Sequence, residues 1–265
     1  MLELYNFAQS TCSLKVRIVL HEKGLDWEDR RLVSKNHDHL SDWYLKLNPN
    51  GVVPTLVHDG VPVIESSVIV QYLDEVFPAV PLVSDDAVGR ARMRAWLAFV
   101  DAVPTPAVRY PSFQFGGLRR KFETMTPEQF AENAKRRPLK SSFYEKMGQG
   151  GFPQADVDKA LEDIRKTAAR MDRMFDESGG PWLLGERYTL ADICVAPLID
   201  RMEDLGLAAL WADRPRVAEW LAGIQARPAY QKAFYEGSRL SEIYPDIVPG
   251  RAGARPLPQE AAPAA

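Results

Sequence analysis

Two hydrophobic periods are mixed along the first 80 residues of the chain. Some segments alternate apolar and polar side chains, as half-buried strands do, and others repeat apolar side chains at helical spacing. These periods predict strands at residues 2–7 and 26–33 and helices at residues 13–23 and 67–76. The run "VVPTLVHDGVPVIES" predicts a hairpin that turns at Asp59 and Gly60. With a polar segment up to residue 48 as a further helix, the order β-α-β-α-β-β-α predicts a small mixed sheet with helices.

The rest of the chain has helical periodicity alone. From about Ala87 onward, the pattern predicts helices at residues 91–103, 156–177, 190–205 and 216–226. We therefore place a domain boundary in the proline-rich stretch near residues 80–87. It separates an α/β domain at residues 1–80 from an all-helical domain at residues 87–248.

Two segments lack this periodicity. Residues 104–155 are rich in proline, glycine and aromatic side chains, and such a long stretch without a clean period predicts a functional lid or a disordered excursion. The last stretch, "PGRAGARPLPQEAAPAA", has low complexity, so we expect a flexible tail at residues 249–265.

The composition excludes several classes of function. The 265 residues are 46% hydrophobic with a net charge of -3, and no basic block suggests a nucleic-acid partner. No apolar run reaches the roughly 18 residues that a membrane span needs. The two cysteines form no disulfide framework and the first residues do not resemble a signal peptide, so we expect a soluble, cytoplasmic protein. His21, His37 and His58 have no metal-binding spacing, so we expect no metal site.

The stretch "STCS" at residues 10–13 stands where the first strand passes into the first helix. N–H groups at a helix start are unpaired and carry a partial positive charge, which stabilises a thiolate and lowers its pKa. The hydroxyls of Ser10, Thr11 and Ser13 and the thiol of Cys12 are therefore candidates to hold or supply a reactive sulfur. The alternative is that they only cap the helix.

Two further stretches suit a bound peptide. In "NPNGVVPTL" a proline starts a strand that should lie inside the sheet, and a cis Val53–Pro54 bond is one way to accommodate it. Such a bend leaves the N–H and C=O of Val53 free for a peptide. In "ESS", Ser66 can bind a carboxylate and Glu65 an ammonium, although both residues could also simply cap the next helix. Together the stretches describe a site for a γ-glutamyl peptide.

These stretches resemble the glutathione transferase superfamily over residues 1–248. A further marker is "YTLADIC", in which residues 189–192 match the buried capping box of the family. Within the superfamily, "SDWYLKLNPNG", "ESSVIVQYLDEVFP" and the long excursion before "GFPQ" resemble the bacterial glutathione-dependent β-etherases of lignin breakdown. The opening "LYNFAQSTCSLK" also resembles tetrachlorohydroquinone reductive dehalogenases, and "STCS" resembles maleylacetoacetate isomerases. The resemblance implies a thioredoxin-like α/β domain, an all-α domain, a site in the cleft between them, and a homodimer.

The resemblance also implies how glutathione, as cosubstrate, is held. The γ-glutamyl anchor falls on Glu65 and Ser66, and the backbone clamp on the cysteine of glutathione falls on Val53, before Pro54. A contact to the glycine end falls on His39, for which the alternative is an exposed surface histidine.

The same resemblance limits how the thiol is activated. The catalytic tyrosine of some transferase classes falls on Asn6, so activation is expected from Ser13, Cys12 or both. In the β-etherase-like interpretation Ser13 donates to the glutathione thiolate and Cys12 is a spectator. In the dehalogenase-like interpretation Cys12 forms a mixed disulfide with glutathione and Ser13 is a cap.

The acceptor site is expected in the excursion. The aromatic stretch "YPSFQF" predicts a flat apolar wall formed by Tyr110, Phe113 and Phe115, unless it is a loose exposed segment. Cys194 lies on an apolar helix face and is expected in the core. The basic runs "RRKFETM" and "KRRPLK" are interpreted as solvated faces.

We therefore expect a glutathione transferase whose bound thiolate attacks an electrophilic carbon. In the β-etherase version this carbon is β to an aryl ketone, and a phenolate leaves. The first alternative is a reductive dehalogenase or maleylacetoacetate-type isomerase that uses Cys12. The second is a non-catalytic binding or regulatory protein with the same fold.

Overall fold

A four-stranded mixed sheet forms the centre of the first domain. The computed structural model describes residues 1–247, so the predicted tail at residues 249–265 lies outside the described part. The strands are β1 (Leu2–Asn6), β2 (Glu28–Arg31), β3 (Thr55–His58) and β4 (Val61–Ile64). They lie in the order β2-β1-β3-β4; β1 runs parallel to β2, and the other two pairs are antiparallel. The predicted mixed sheet is thereby confirmed.

Local chemistry accounts for the turns of this domain. Its helices are α1 (Thr11–Glu22), α2 (Asp42–Leu47) and α3 (Ser66–Val76), with short 3-10 helices at Ser34–Asn36 and Asp38–Leu40. Asp59 and Gly60 both have positive φ, 49° and 83°, as a tight hairpin between β3 and β4 requires. Helix α1 begins at Thr11, two residues before its predicted start, because Ser10 caps it by accepting the N–H of Ser13 at 3.2 Å.

Helices make up the second domain. They are α4 (Ala87–Ala102), α5 (Pro104–Ala107), α6 (Arg109–Gln114), α7 (Pro127–Lys135), α8 (Ser141–Met147), α9 (Gln154–Ser178), α10 (Leu190–Asp204), α11 (Pro215–Gln225), α12 (Pro228–Ala233) and α13 (Leu240–Ile243). Further 3-10 helices lie at Leu118–Phe122, Ala208–Trp211 and Pro245–Ile247. No helix within residues 1–247 combines the length and the apolar character needed to cross a bilayer.

The segment at residues 104–155 is folded. Its four short helices and one 3-10 helix enclose a separate aromatic core that includes Phe113, Phe122, Tyr144 and Phe152. The alternative of a disordered excursion is therefore wrong for this segment. Helices of four to nine residues, interrupted by proline and glycine, are too short to show a clear period in the sequence.

One continuous core joins the two domains beneath the cleft. Leu4 of the sheet, Trp96 of α4 and Ile193 of α10 belong to the same buried cluster. At the start of α10 the predicted capping box is present: Asp192 Oδ2 accepts the backbone N–H of Thr189 at 3.0 Å, and Thr189 Oγ1 accepts the N–H of Ala191 at 3.2 Å. Asp192 also accepts the indole N–H of Trp220 at 2.9 Å, which ties α10 to α11. Helices α10 and α12 of the second domain also pack against α1, whose first turn lines the cleft.

Candidate active site

A cleft lies between the start of α1, the loop at residues 50–53 and the segment at residues 104–155. It has about 970 Å³ of empty space, part of it open to solvent. Ligand sites of enzymes are typically concave and lie at domain interfaces. The cleft is therefore the candidate active site.

The first turn of α1 faces this cleft. Ser10, Thr11 and Cys12 line it, and the first N–H groups of the helix have no intrahelical partner. The Oγ of Ser10 accepts the N–H of Ser13, so its hydroxyl proton remains available to a ligand in the cleft. Cys12 is a free, partly buried thiol. This turn offers an electropositive position for a bound sulfur anion.

Ser13 lies elsewhere. Its side chain is fully buried, and its Oγ has no hydrogen-bond partner among the described residues. Ser13 therefore lies outside the cleft wall, and this position does not support its expected donation to a bound sulfur. The reason is the early start of α1, which makes Ser13 the third helical residue and turns it inward, while Ser10 takes the capping position.

The loop before β3 forms a second wall. The Val53–Pro54 bond is cis, as anticipated, and Val53 lines the cleft while Pro54 is buried beneath it. Among residues 1–247, the N–H and C=O of Val53 have no hydrogen-bond partner. The neighbouring carbonyl of Val52 accepts from Tyr44 Oη at 2.7 Å and from Asn48 Nδ2 at 3.0 Å. These bonds hold the loop in place and leave the backbone of Val53 available to a ligand.

Glu65 and Ser66 stand at the edge of the cleft rather than in its wall. Ser66 is the first residue of α3 and is buried, whereas Glu65 is exposed and has φ of 69°. A positive φ is rare for a residue with a side chain and is found more often at functional sites. Asn50 lines the cleft and donates to Glu65 Oε1 at 3.0 Å. This hydrogen bond connects Glu65 and Ser66 to the cleft.

His39 lines the cleft and is only 5% exposed, so the alternative of a surface histidine is wrong. Burial, assisted by the charges of Arg137 and Lys121, lowers the pKa of His39 to about 3. The neutral ring accepts from Arg137 at Nε2, 3.0 Å away, which assigns the ring proton to Nδ1. Nδ1 is buried without a partner among the described residues. His39 therefore presents an uncharged N–H donor.

Only one of the three predicted aromatic wall residues lines the cleft. Phe113 does so, together with Arg109 and three other residues on the same stripe of the chain, which are Thr105, Val108 and Ser112. Tyr110 points away and packs on Phe152 with ring centroids 4.5 Å apart, and Phe115 packs between the two cores. The expectation for Tyr110 and Phe115 is wrong because the segment is helical, and a helix turns only one stripe toward a ligand.

The basic runs supply residues that the sequence interpretation missed. Lys121 of "RRKFETM" and both Arg137 and Lys140 of "KRRPLK" line the cleft. Their interpretation as solvated faces is therefore wrong at these positions. Nearby aromatic residues could have indicated that these cations face the protein interior. Phe122 follows Lys121 directly, and the buried Tyr144 lies four residues after Lys140.

Asn6 and Cys194 are buried and have structural roles. Asn6 is fully buried, and its amide oxygen accepts from Arg17 at 3.1 Å and from Tyr235 at 3.0 Å. Cys194 is fully buried in the core, as predicted, and burial raises its pKa to about 12. Within residues 1–247, no group of three or more histidine, cysteine, aspartate or glutamate side chains could hold a metal ion.

Comparisons with known proteins agree with this architecture. The profile "Glutathione S-transferase, N-terminal domain" matches residues 9–76, and "Glutathione S-transferase, C-terminal domain" matches residues 125–228. Protein LigF of Sphingobium sp. (strain NBRC 103272 / SYK-6) is 32% identical over 90% of this chain and 95% of its own length. The maleylacetoacetate isomerase of Pseudomonas aeruginosa is 30% identical over 88% of this chain and 95% of its own.

A solved crystal structure has the same fold as this chain. The crystal structure of Beta-etherase LigF from Sphingobium sp. strain SYK-6 matches with a TM-score of 0.80, covering 88% of this chain and 98% of that one. The chain belongs to the glutathione S-transferase family, whose enzymes use glutathione as cosubstrate. The predicted fold, a thioredoxin-like domain followed by an all-helical domain, is confirmed.

Proposed function

We propose that this glutathione transferase cleaves β-aryl ethers. The glutathione thiolate attacks the carbon β to an aryl ketone, a C–S bond forms, and the C–O bond breaks as the phenolate leaves with the electron pair. The observation that carries the proposal is the cleft itself, in which an electropositive helix start faces Phe113 and a basic wall. The 32% identity to Protein LigF, which is named a Beta-etherase in its crystal structure, supports the choice of reaction.

In this proposal glutathione lies along the first domain. Its γ-glutamyl group binds Glu65 and Ser66, which combine a carboxylate with the unpaired N–H groups at the start of α3. Its cysteine pairs with the free backbone of Val53. Its glycine carboxylate accepts the buried N–H of His39, and Arg137 holds that ring in place. This arrangement puts the thiol at the first turn of α1.

The thiolate is then stabilised by the start of α1 and by the hydroxyl of Ser10. This assignment replaces Ser13, which has no access to the cleft. A preorganised donor aimed at a charged atom contributes roughly 10- to 1000-fold to a rate. Cys12 remains beside the sulfur as a neighbour without a role in ether cleavage.

A second candidate follows from the position of Cys12 in the cleft wall. In a reductive reaction its thiolate takes the glutathionyl sulfur from a conjugated ring, forming a mixed disulfide. The ring carbon keeps the electron pair and takes up a proton, and a second glutathione then releases glutathione disulfide. A relative titled tetrachloro-p-hydroquinone reductive dehalogenase, 26% identical over 87% of this chain, supports this alternative.

The experiment is product analysis with a β-aryl ether ketone and glutathione. Ether cleavage predicts release of one phenol for each ketone–glutathione conjugate, with no glutathione disulfide. Intact mass should show no adduct on Cys12 during turnover. Glutathione disulfide together with a Cys12–glutathione adduct would support the second candidate, and binding of glutathione without any product would reject both.

We also propose a homodimer in the cytoplasm. Exposed valines lie on two adjacent elements of the first domain, Val61 on β4 and Val68 on α3, and a third, Val88, lies at the start of α4. Exposed apolar side chains on adjacent elements favour a protein–protein contact. Two free cysteines and the use of glutathione suit a reducing compartment. Light scattering of Val68→Lys against the unmodified protein tests the dimer.

A further inference from the structure

The cleft wall contains four cationic side chains without an anionic partner. These are Arg109, Lys121, Arg137 and Lys140, all from the segment at residues 104–155. Within residues 1–247, none of the four has a carboxylate within 4.0 Å, and no aspartate or glutamate lines the cleft. Arg201 differs, because it donates to a backbone carbonyl at 2.6 Å and lies 3.9 Å from Asp204.

Aromatic rings and neutral acceptors, rather than carboxylates, hold three of these cations, Arg109, Lys121 and Arg137. The guanidinium of Arg109 lies 4.6 Å from the ring centroid of Phe143, and that of Arg137 lies 3.9 Å from the ring centroid of Tyr144. Lys121 donates to a serine hydroxyl 3.1 Å away. Ring faces and hydroxyls position a cation without neutralising it. The positive charge of the wall is therefore left for a ligand.

The pKa of Tyr144 is affected by the positive charge of these side chains. Burial acts to raise the pKa of Tyr144, but the charges of Lys121, Arg137 and Arg109 outweigh burial and lower the pKa. Arg137 itself is only 4% exposed, and its Nε has no partner among the described residues. A buried cation that has only neutral partners is costly, so the site is suited to receive an anion.

Glutathione does not supply enough negative charge. In the proposed placement its γ-glutamyl end binds at Glu65 and Ser66, outside the cleft wall. Its thiolate and its glycine carboxylate are then the two negative charges inside the cleft, and four cations face them. The glycine carboxylate is assigned to His39 on the first domain, whereas Arg109 and Lys140 line the cleft from the helical second domain.

We propose that the acceptor is itself an anion, an aromatic compound whose ionised carboxylate is bound by Arg109 together with Lys140. This inference rests on the proposed function for the placement of glutathione and for the aromatic character of the acceptor. Arg109 and Phe113 line the same wall, so a ring on Phe113 brings its substituent to the guanidinium. A guanidinium binds a carboxylate through two parallel N–H donors, which selects that group over a neutral ester.

A permanent negative charge on the acceptor accounts for the cations of the cleft wall better than the negative charge of the leaving phenolate does. The phenolate exists only after the C–O bond has broken, so in the resting complex it supplies no negative charge to Arg109 and Lys140. A carboxylate is present throughout binding and reaction. It therefore lowers the KM of the acceptor, whereas an interaction with the phenolate alone would raise kcat.

The test compares two β-aryl ethers that differ only in a ring carboxylate or its methyl ester. The carboxylate should have a kcat/KM about 10- to 100-fold higher, mainly through KM, which is the scale of a hydrogen bond to a charged group. Arg109→Gln should remove this preference, and Arg109→Lys should restore part of it. Arg136→Gln is the matched control, since Arg136 is exposed and does not line the cleft.

The outcomes separate this proposal from the proposed reaction. Equal kcat/KM for acid and ester, or equal loss of kcat for both in Arg109→Gln, would overturn the anionic acceptor. If no ether is cleaved, a chlorodinitrobenzene and its carboxylated analogue, chlorodinitrobenzoate, replace the ethers as acceptors. A preference for the benzoate that Arg109→Gln removes would support the anion site even though ether cleavage had failed, and no preference would reject it.

Discussion

Substitution of Ser10 separates its observed role, the cap of α1, from its proposed role as a donor to the thiolate. Ser10→Ala removes the acceptor of the Ser13 N–H, a bond of 3.2 Å, and also the donor to the bound sulfur. Loss of such a cap costs about 1 kcal/mol, which lowers the Tm by roughly 2–4 °C in a protein of this size. Loss of the donor should lower kcat by roughly 10- to 1000-fold.

Ser10→Asp provides the decisive comparison. Aspartate caps a helix as well as serine does, so the Tm should stay close to that of the unmodified protein. Its carboxylate has no proton to donate and repels a thiolate, so kcat should fall at least as far as in Ser10→Ala. Ser13→Ala is the internal control, because this buried hydroxyl lies outside the cleft wall.

The assays are thermal unfolding and steady-state turnover, followed for the three variants in parallel. Full activity in Ser10→Asp would refute the donor role and leave the N–H groups of α1 as sufficient. A large loss of kcat in Ser13→Ala at unchanged Tm would contradict the position of Ser13 described above.

Three further predictions concern ligand binding, pH and the thiol. Ser66→Ala should raise the glutathione Kd about tenfold, the loss of one hydrogen bond to a charged group, and an unchanged calorimetric Kd would count against the anchor. The pKa of His39 falls from 6.5 to about 3 on folding, so its stabilising contribution is complete above pH 6.5 and is lost as the pH falls toward 3. His39→Gln should therefore reduce the loss of stability between pH 6.5 and 4.5 by up to about 2 kcal/mol in urea unfolding, and an unaltered slope would be the opposing result. Cys12→Ala should keep most ether-cleaving activity, and loss of that activity together with loss of a glutathione adduct would favour the reductive alternative.

The architecture was predictable because its signals are local. The hairpin at Asp59 and Gly60 and the capping box of Thr189 and Asp192 need only a few adjacent residues, and the structure contains both. The position of Val53 before a cis proline follows from the same kind of signal. Each of these features depends on a local backbone conformation, which a few adjacent residues are enough to determine.

The details of the site depend on contacts between distant segments. Four side chains in "STCS" suit a helix start equally, and only the capping bond of Ser10 determines that Ser13 turns inward. Lys121 and Arg137 look like surface residues in the sequence, yet tertiary packing of several short helices brings them beside His39. The residues next to them in the sequence do not indicate that these charges are buried, because their burial depends on how distant segments pack in the folded cleft.

The central claim is that the start of α1 stabilises the glutathione thiolate, and titration of the bound thiol tests it most directly. The ultraviolet absorbance of the thiolate would be followed against pH in the complex of the unmodified protein with glutathione alone. The account predicts a bound pKa of about 7 or lower, compared with about 8.5 for an ordinary thiol, and a higher value in Ser10→Asp. A bound pKa equal to that of free glutathione would contradict it.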